Sequence, residues 1–113
     1  MEYYKDNSKS FKKLKIKNDN IHKLKKINCI IREIREINKI IFPGVNSFKV
    51  NNELKRLVKL LDSAFYIKII QKYKISLLDD INKNNFKRIK VIKILDEINS
   101  IMIHEKKRLS RNF

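Results

Sequence analysis

Apolar residues recur at intervals of three and four along most of the chain, the spacing of one face of an α-helix. The longest such pattern in the second half runs from Asn85 to Arg108 and includes Phe86, Ile89, Ile92, Leu95, Ile98 and Met102. Asn85 can cap this helix by accepting a backbone N–H of the first turn. Lys106 and Lys107 suit the negative end of the helix dipole. The pattern predicts a long final helix that covers the apolar faces of the others.

A second long helix is predicted in the first half, from a cap at Asp19 or Asn20 to a break at Pro43-Gly44. Proline cannot donate in a continuing helix, and glycine tolerates a left-handed turn. The inward stripe of this helix consists of Leu24, Ile27, Ile30, Ile31, Ile34, Ile37, Ile40 and Ile41. A stripe this wide is typical of a globular bundle rather than a two-stranded coiled coil.

Three short helices are predicted between the two long ones. The first starts at Asn51 or Asn52, and Asp62-Ser63-Ala64 interrupts the pattern after it. A capping-box-like pair, Ser76 and Asp79, predicts the start of the third, which would place Asp79 and Asp80 in its first turn. The inward residues would be Leu54, Leu57, Val58 and Leu61, then Phe65, Ile67, Ile69, Ile70 and Tyr73, then Leu77, Leu78 and Ile81. We therefore expect an all-α fold, a compact bundle of about five helices, two long and three short.

Length and composition agree with a single helical domain. A chain of 113 residues with 42% hydrophobic content can form one core, and one Gly and one Pro are few for a sheet protein. We expect a flexible basic arm over residues 1–18, one domain over 19–109 and a tail over 110–113.

The only cysteine, Cys29, cannot form an internal disulfide and is expected to be buried. No apolar run has the length of a membrane span and the first residues lack a signal-peptide core, so we expect an intracellular protein with no membrane partner.

The net charge of +16 would attract nucleic acid, an anionic membrane or an acidic peptide. Isoleucine, lysine and asparagine make up about half of the chain, a bias typical of AT-rich genomes that raises lysine content whatever the function. The charge alone therefore does not indicate nucleic acid. The residues that would contact RNA or DNA are Lys12, Lys13, Lys15, Lys17, Lys106, Lys107 and Arg108.

The sequence carries no catalytic signature. His22 and His104 have no Cys or acid at metal-ligand spacing, so both are expected on the surface. Adjacent acids such as Asp96-Glu97 diverge by about 100° on a helix and cannot form a facing pair for acid–base chemistry. With Gly44 as the only glycine, a Gly-rich phosphate loop is excluded. We therefore predict no catalytic residue, no metal, no cofactor and no enzymatic activity.

The stretch from Val50 to Met102 resembles the integrase-binding domain of LEDGF, which shares its fold with the N-terminal domain of the elongation factor TFIIS. Val50-Asn51, Gln71-Lys72, Phe86-Lys87 and Val91-Ile92 match that domain's spacing without gaps, and Leu57 and Leu60 match core leucines. His22 to Ile41 looks like the family's first helix, so the resemblance covers roughly residues 21–104. It implies an adaptor in transcription elongation or chromatin, with a nuclear location.

Domains of this family dock short disordered peptides across two interhelical loops at one end, and Phe86 matches the family's aromatic at the last corner. The family's acidic residue after the first helix has no counterpart between Ile41 and Val45, and Arg88 stands where LEDGF has an apolar residue. A basic rim around Phe86 suits peptides whose acidic residues flank an aromatic or aliphatic anchor. The expected partner-binding residues are Phe42, Val45, Phe86, Lys87, Arg88 and Lys90.

Several alternatives remain open. Phe86 could instead pack inward and staple the helix start, and the cluster Lys87, Arg88, Lys90 and Lys93 could be a solvated helix face. The chain could be a small RNA-binding or ribosome-associated protein that uses its basic body and arms. It could also be a structural subunit whose apolar surface joins a larger assembly. Phosphate binding would weaken steeply and log-linearly with salt, whereas docking of an apolar anchor would weaken more gently.

Overall fold

The computed structural model describes the backbone of residues 2–41, 47–83 and 87–111, and the side chains of 18–41, 48–83 and 87–111. These ranges form four helices: α1 (Glu2–Ile41), α2 (Ser47–Asp62), α3 (Lys68–Asn82) and α4 (Arg88–Ser110). No strand occurs within them. The predicted all-α fold is confirmed, with four helices in the described ranges in place of about five.

The helices pack in a ring around one apolar core. α1 lies against α2 and α4, and α3 lies against the same two helices, with a slighter contact to α4. The connections are short, which favours antiparallel neighbours. The core consists of Ile27, Ile30, Ile34, Ile37, Ile41, Val50, Leu54, Leu57, Val58, Leu61, Ala64, Ile70, Leu77, Ile81, Val91, Ile94, Leu95, Ile98, Met102 and Leu109. Burying each of the large side chains contributes roughly 1.5–3 kcal/mol.

The first helix is longer than expected. α1 begins at Glu2, so the prediction that Asp19 or Asn20 caps it is wrong. Residues 2–41 contain neither Gly nor Pro, and nothing in that stretch ends a helix. Asn20 is buried within the helix instead. The helix ends at Ile41, just before Pro43-Gly44, as predicted; the assignment of residues 1–18 to a flexible arm stays a prediction.

The last two of the three predicted short helices are a single helix. α3 runs through Ser76, so the predicted cap at that residue is wrong and Asp79 and Asp80 lie in the last turn rather than the first. Ile70, Leu77 and Ile81 share one buried face of α3, and burial of that face outweighs the local preference of Ser76 for a cap. Two further caps are also wrong, because α2 begins at Ser47, ahead of Asn51 and Asn52, and α4 begins at Arg88, after Asn85.

Four residues predicted to be buried are exposed: Cys29, Phe65, Ile69 and Ile89. Two positions along a helix turn the side chain by about 200°, so Cys29 points away from buried Ile27, and Ile89 points away from buried Val91. Phe65 lies in the turn between α2 and α3, outside any helix. Ile69 lies beside buried Ile70 in the first turn of α3.

Candidate docking surface at the start of α4

The structure describes half of the predicted partner-binding residues. Lys87, Arg88 and Lys90 are exposed at the start of α4. Phe42, Val45 and Phe86 lie outside the described residues, so the predicted grouping of their side chains, and the alternative in which Phe86 packs inward, stay predictions. We define the basic corner as residues 87–90 together with Lys93.

The first turn of α4 is electropositive for a structural reason. Lys87 is the N-cap residue, with extended backbone (φ −98°, ψ 106°), and its side chain makes no cap hydrogen bond. The first turn contains no acidic residue. Free backbone N–H groups at a helix start carry partial positive charge, which adds to the charge of the lysines. This combination attracts carboxylates or phosphates.

An isoleucine lies in the middle of these cations. Ile89 is 77% exposed, the largest exposure among the large apolar residues described. It lines an open depression of about 930 Å³ together with Lys87, Arg88, Lys90, Ile92 and Lys93. The apolar pattern predicts that Ile89 lies in the core, because it stands three residues before Ile92; that prediction is wrong. The buried set Val91, Ile94, Leu95 and Ile98 gives the correct phase of the helix.

Lys90 of the basic corner pairs with an acid of the preceding helix. Lys90 Nζ lies 3.0 Å from Oδ1 of Asp80, which is 8% exposed in the last turn of α3. An acid at the C-terminal end of a helix is unfavourable, and the ammonium group offsets it. Lys90 is therefore partly neutralised, and it fixes the position of the corner relative to α3.

The residues predicted to contact nucleic acid in the alternative hypothesis lie in different surroundings. Lys106 and Lys107 line a depression of about 540 Å³ with Ile31, Arg35, Ile103, Ser110 and Arg111. Arg108 donates from Nε to both carboxylate oxygens of Glu105 at 3.1 Å, and this hydrogen bond lowers the pKa of Glu105. The Arg108 guanidinium is therefore already paired with a carboxylate of its own chain. The side chains of Lys12, Lys13, Lys15 and Lys17 lie outside the described residues.

A pair of carboxyl groups was not anticipated from the sequence. Glu33 on α1 is 8% exposed, and burial raises its pKa to about 7, with a smaller effect from hydrogen bonding to Glu53 on α2. Glu33 lies three residues after Ile30 and four before Ile37, within the predicted apolar stripe. That placement was the signal that could have found it.

Both histidines are exposed, as predicted. Among the described residues, no group of three His, Cys, Asp or Glu side chains is arranged to hold a metal ion. The described helices contain no stretch long and apolar enough to cross a membrane.

No family model matches the chain, and no curated protein or solved structure is significantly similar to it. The resemblance to the LEDGF and TFIIS domains stays a prediction.

Proposed function

We propose that this chain is a non-enzymatic adaptor whose basic corner binds short, acidic, disordered segments of other proteins. The resemblance to the TFIIS N-terminal and LEDGF integrase-binding domains motivates the proposal, and an adaptor role in transcription elongation or chromatin and a nuclear location are proposed with it. The observation that carries it is the 77% exposure of Ile89 among the corner's cations.

An exposed isoleucine ringed by cations suits a partner with the opposite charge and an apolar anchor. Ile89 and Ile92 supply the apolar part of the depression, and Lys87, Arg88 and Lys93 supply the charge. Charge complementarity speeds encounter and sets specificity, while a desolvated apolar anchor contributes most of the affinity. A peptide with a leucine or phenylalanine between aspartates and glutamates has both features.

The test uses a fluorescently labelled peptide of about fifteen residues, with one central leucine flanked by acids, titrated with the full chain and followed by anisotropy. Ile89→Asp should weaken binding roughly 30-fold or more, because it removes the anchor contact and repels the acids. Ile75→Asp is the matched control, since Ile75 is an isoleucine 66% exposed on α3. That variant should bind the peptide as the unchanged chain does.

A second peptide with serine in place of the leucine separates anchoring from charge. If docking uses the apolar anchor, this peptide binds much more weakly, and binding of the leucine peptide falls only gently with salt. Equal binding of the two peptides, or equal losses in Ile89→Asp and Ile75→Asp, would rule the proposal out.

A further inference from the structure

The turn between α2 and α3 holds an aromatic side chain away from the core. Ser63 N–H donates to the Leu60 carbonyl at 3.1 Å, Ala64 N–H to that of Leu61 at 3.0 Å, and Ile67 N–H to that of Ala64 at 2.9 Å. Ala64 is buried in the core. These contacts fix the turn, yet Phe65 in its middle is 75% exposed. Folding therefore gains little from this ring, and a polar residue there would serve the turn as well.

The Phe65 ring contacts a second aromatic ring, which is itself tied to α1. Its centroid lies 6.2 Å from that of Tyr66, with the rings at 85°, an edge-to-face pair. Lys23 Nζ lies 4.6 Å from the Tyr66 ring centroid, a cation–π contact that ties the turn to α1. The contact with Tyr66 restricts the Phe65 ring and so reduces the conformational entropy lost when a ligand stacks on it.

The ring lies at a depression that α1 lines with cations. The depression has a volume of about 270 Å³ and is lined by Asp19, His22, Lys23, Lys26, Ser63, Phe65 and Tyr66. Lys26 and His22 are exposed, and Asp19 is the one carboxylate among these residues. The lining combines a stacking surface, two ammonium groups and an imidazole.

We propose that this depression binds one nucleotide of a single-stranded nucleic acid, with its base against Phe65 and its phosphate at Lys26 and His22. Base stacking on aromatic rings combined with phosphate contacts to cations is how proteins hold single strands without sequence preference. The surface is a depression rather than a protruding apolar face. It therefore suits a small ligand that fits into it better than it suits a flat bilayer. The site goes beyond the proposed adaptor function and shares no residue with the basic corner.

The test measures anisotropy of a labelled ten-nucleotide oligouridylate against the full chain at several salt concentrations. Phe65→Ala should weaken binding about tenfold, because the base loses the ring on which it stacks, and Phe65→Trp should retain binding. Phe48→Ala, which removes a phenylalanine 72% exposed on α2, is the matched control and should bind as the unchanged chain does. Lys26→Gln should reduce the salt slope by about 0.7, and the same change at exposed Lys55 should leave it nearly unchanged.

Competition with uridine monophosphate identifies the source of the nucleotide. If uridine monophosphate displaces the oligouridylate and the displacement depends on Phe65, the site accepts free nucleotides. If the oligouridylate binds with dependence on Phe65 but uridine monophosphate does not displace it, the site needs a strand. The proposal is overturned if the oligouridylate does not bind at low salt, if Phe65→Ala and Phe48→Ala bind alike, or if a duplex of the same length binds with the same dependence on Phe65. Phe65-dependent binding to phosphatidylserine vesicles without binding to RNA would point to a membrane instead. None of these results depends on the acidic peptide, so the two proposals fail separately.

Discussion

Lys90 Nζ donates a hydrogen bond to Oδ1 of Asp80 at 3.0 Å, which joins the first turn of α4 to the last turn of α3. The aspartate is 8% exposed, whereas 47% of the lysine side chain is exposed. The other carboxylate oxygen, Oδ2, is buried and accepts no hydrogen bond from any residue that the structure describes. The ion pair therefore stabilises a carboxylate whose burial and position at the negative end of α3 are both unfavourable.

Removing the lysine ammonium group should therefore destabilise the fold. Lys90→Met leaves a nearly buried carboxylate at the negative end of α3 and should lower the free energy of unfolding by about 2 kcal/mol, less than for a fully buried pair because Lys90 is half exposed. Lys93→Met is the control and should change stability by less than about 0.5 kcal/mol. Urea denaturation of these variants, of Asp80→Asn and of the Asp80→Asn, Lys90→Met double variant completes a double-mutant cycle. Additive losses would show that the two residues do not interact.

The buried Glu33 should make stability depend on pH. Its folded pKa of about 7 lies above the unfolded value of 4.5, so the folded state binds the proton more tightly. The stabilisation is therefore complete below pH 4.5 and is lost as the pH rises through about 7.

Glu33→Gln should remove this pH dependence and stabilise the chain above pH 8, because the amide carries no charge to desolvate. Glu36→Gln is the control, since Glu36 is an exposed acid of α1 that pairs with Lys39 at 3.2 Å. Unfolding by urea between pH 4 and pH 9 measures both. A Glu33→Gln variant that loses stability with rising pH as the unchanged chain does would contradict the raised pKa.

The phase of α4 predicts opposite outcomes for two isoleucines. Ile98 is fully buried, and Ile98→Ala should cost about 2–5 kcal/mol through lost burial and a cavity. Ile89→Ala should change stability by less than about 0.5 kcal/mol, because the side chain is mostly in water. Chemical denaturation distinguishes the two, and similar losses at both positions would mean that Ile89 belongs to the core.

Ser76 gives a test of whether α3 is one helix or two. A serine N-cap replaced by alanine costs about 1 kcal/mol, whereas alanine in a helix interior is favoured over serine by roughly 0.5 kcal/mol. Since Ser76 lies inside α3, Ser76→Ala should leave stability unchanged or raise it slightly. A loss of about 1 kcal/mol in thermal or urea unfolding would restore the predicted break.

The candidate site was predictable in its charge but not in its apolar part. The cluster Lys87, Arg88, Lys90 and Lys93 is visible in the sequence, because charged residues on a helix are mostly exposed. Ile89 was not, because every isoleucine at helical spacing is an equally good core residue until the packing of the neighbouring helix fixes which face turns inward. Asp80 and Glu33 were missed for a related reason, since burial of an acid depends on what another helix places beside it.

The sequence by itself determined that the chain is helical, where α1 ends and where α2 is separated from α3. These features follow from local chemistry: the isoleucine and leucine stripes, Pro43-Gly44, and the interruption at Asp62-Ser63-Ala64. Only the tertiary structure decided the phase of α4, the continuity of α3 through Ser76 and the pairing of Asp80 with Lys90. Those depend on apolar area buried between helices, and that free energy is larger than the preference of any single cap.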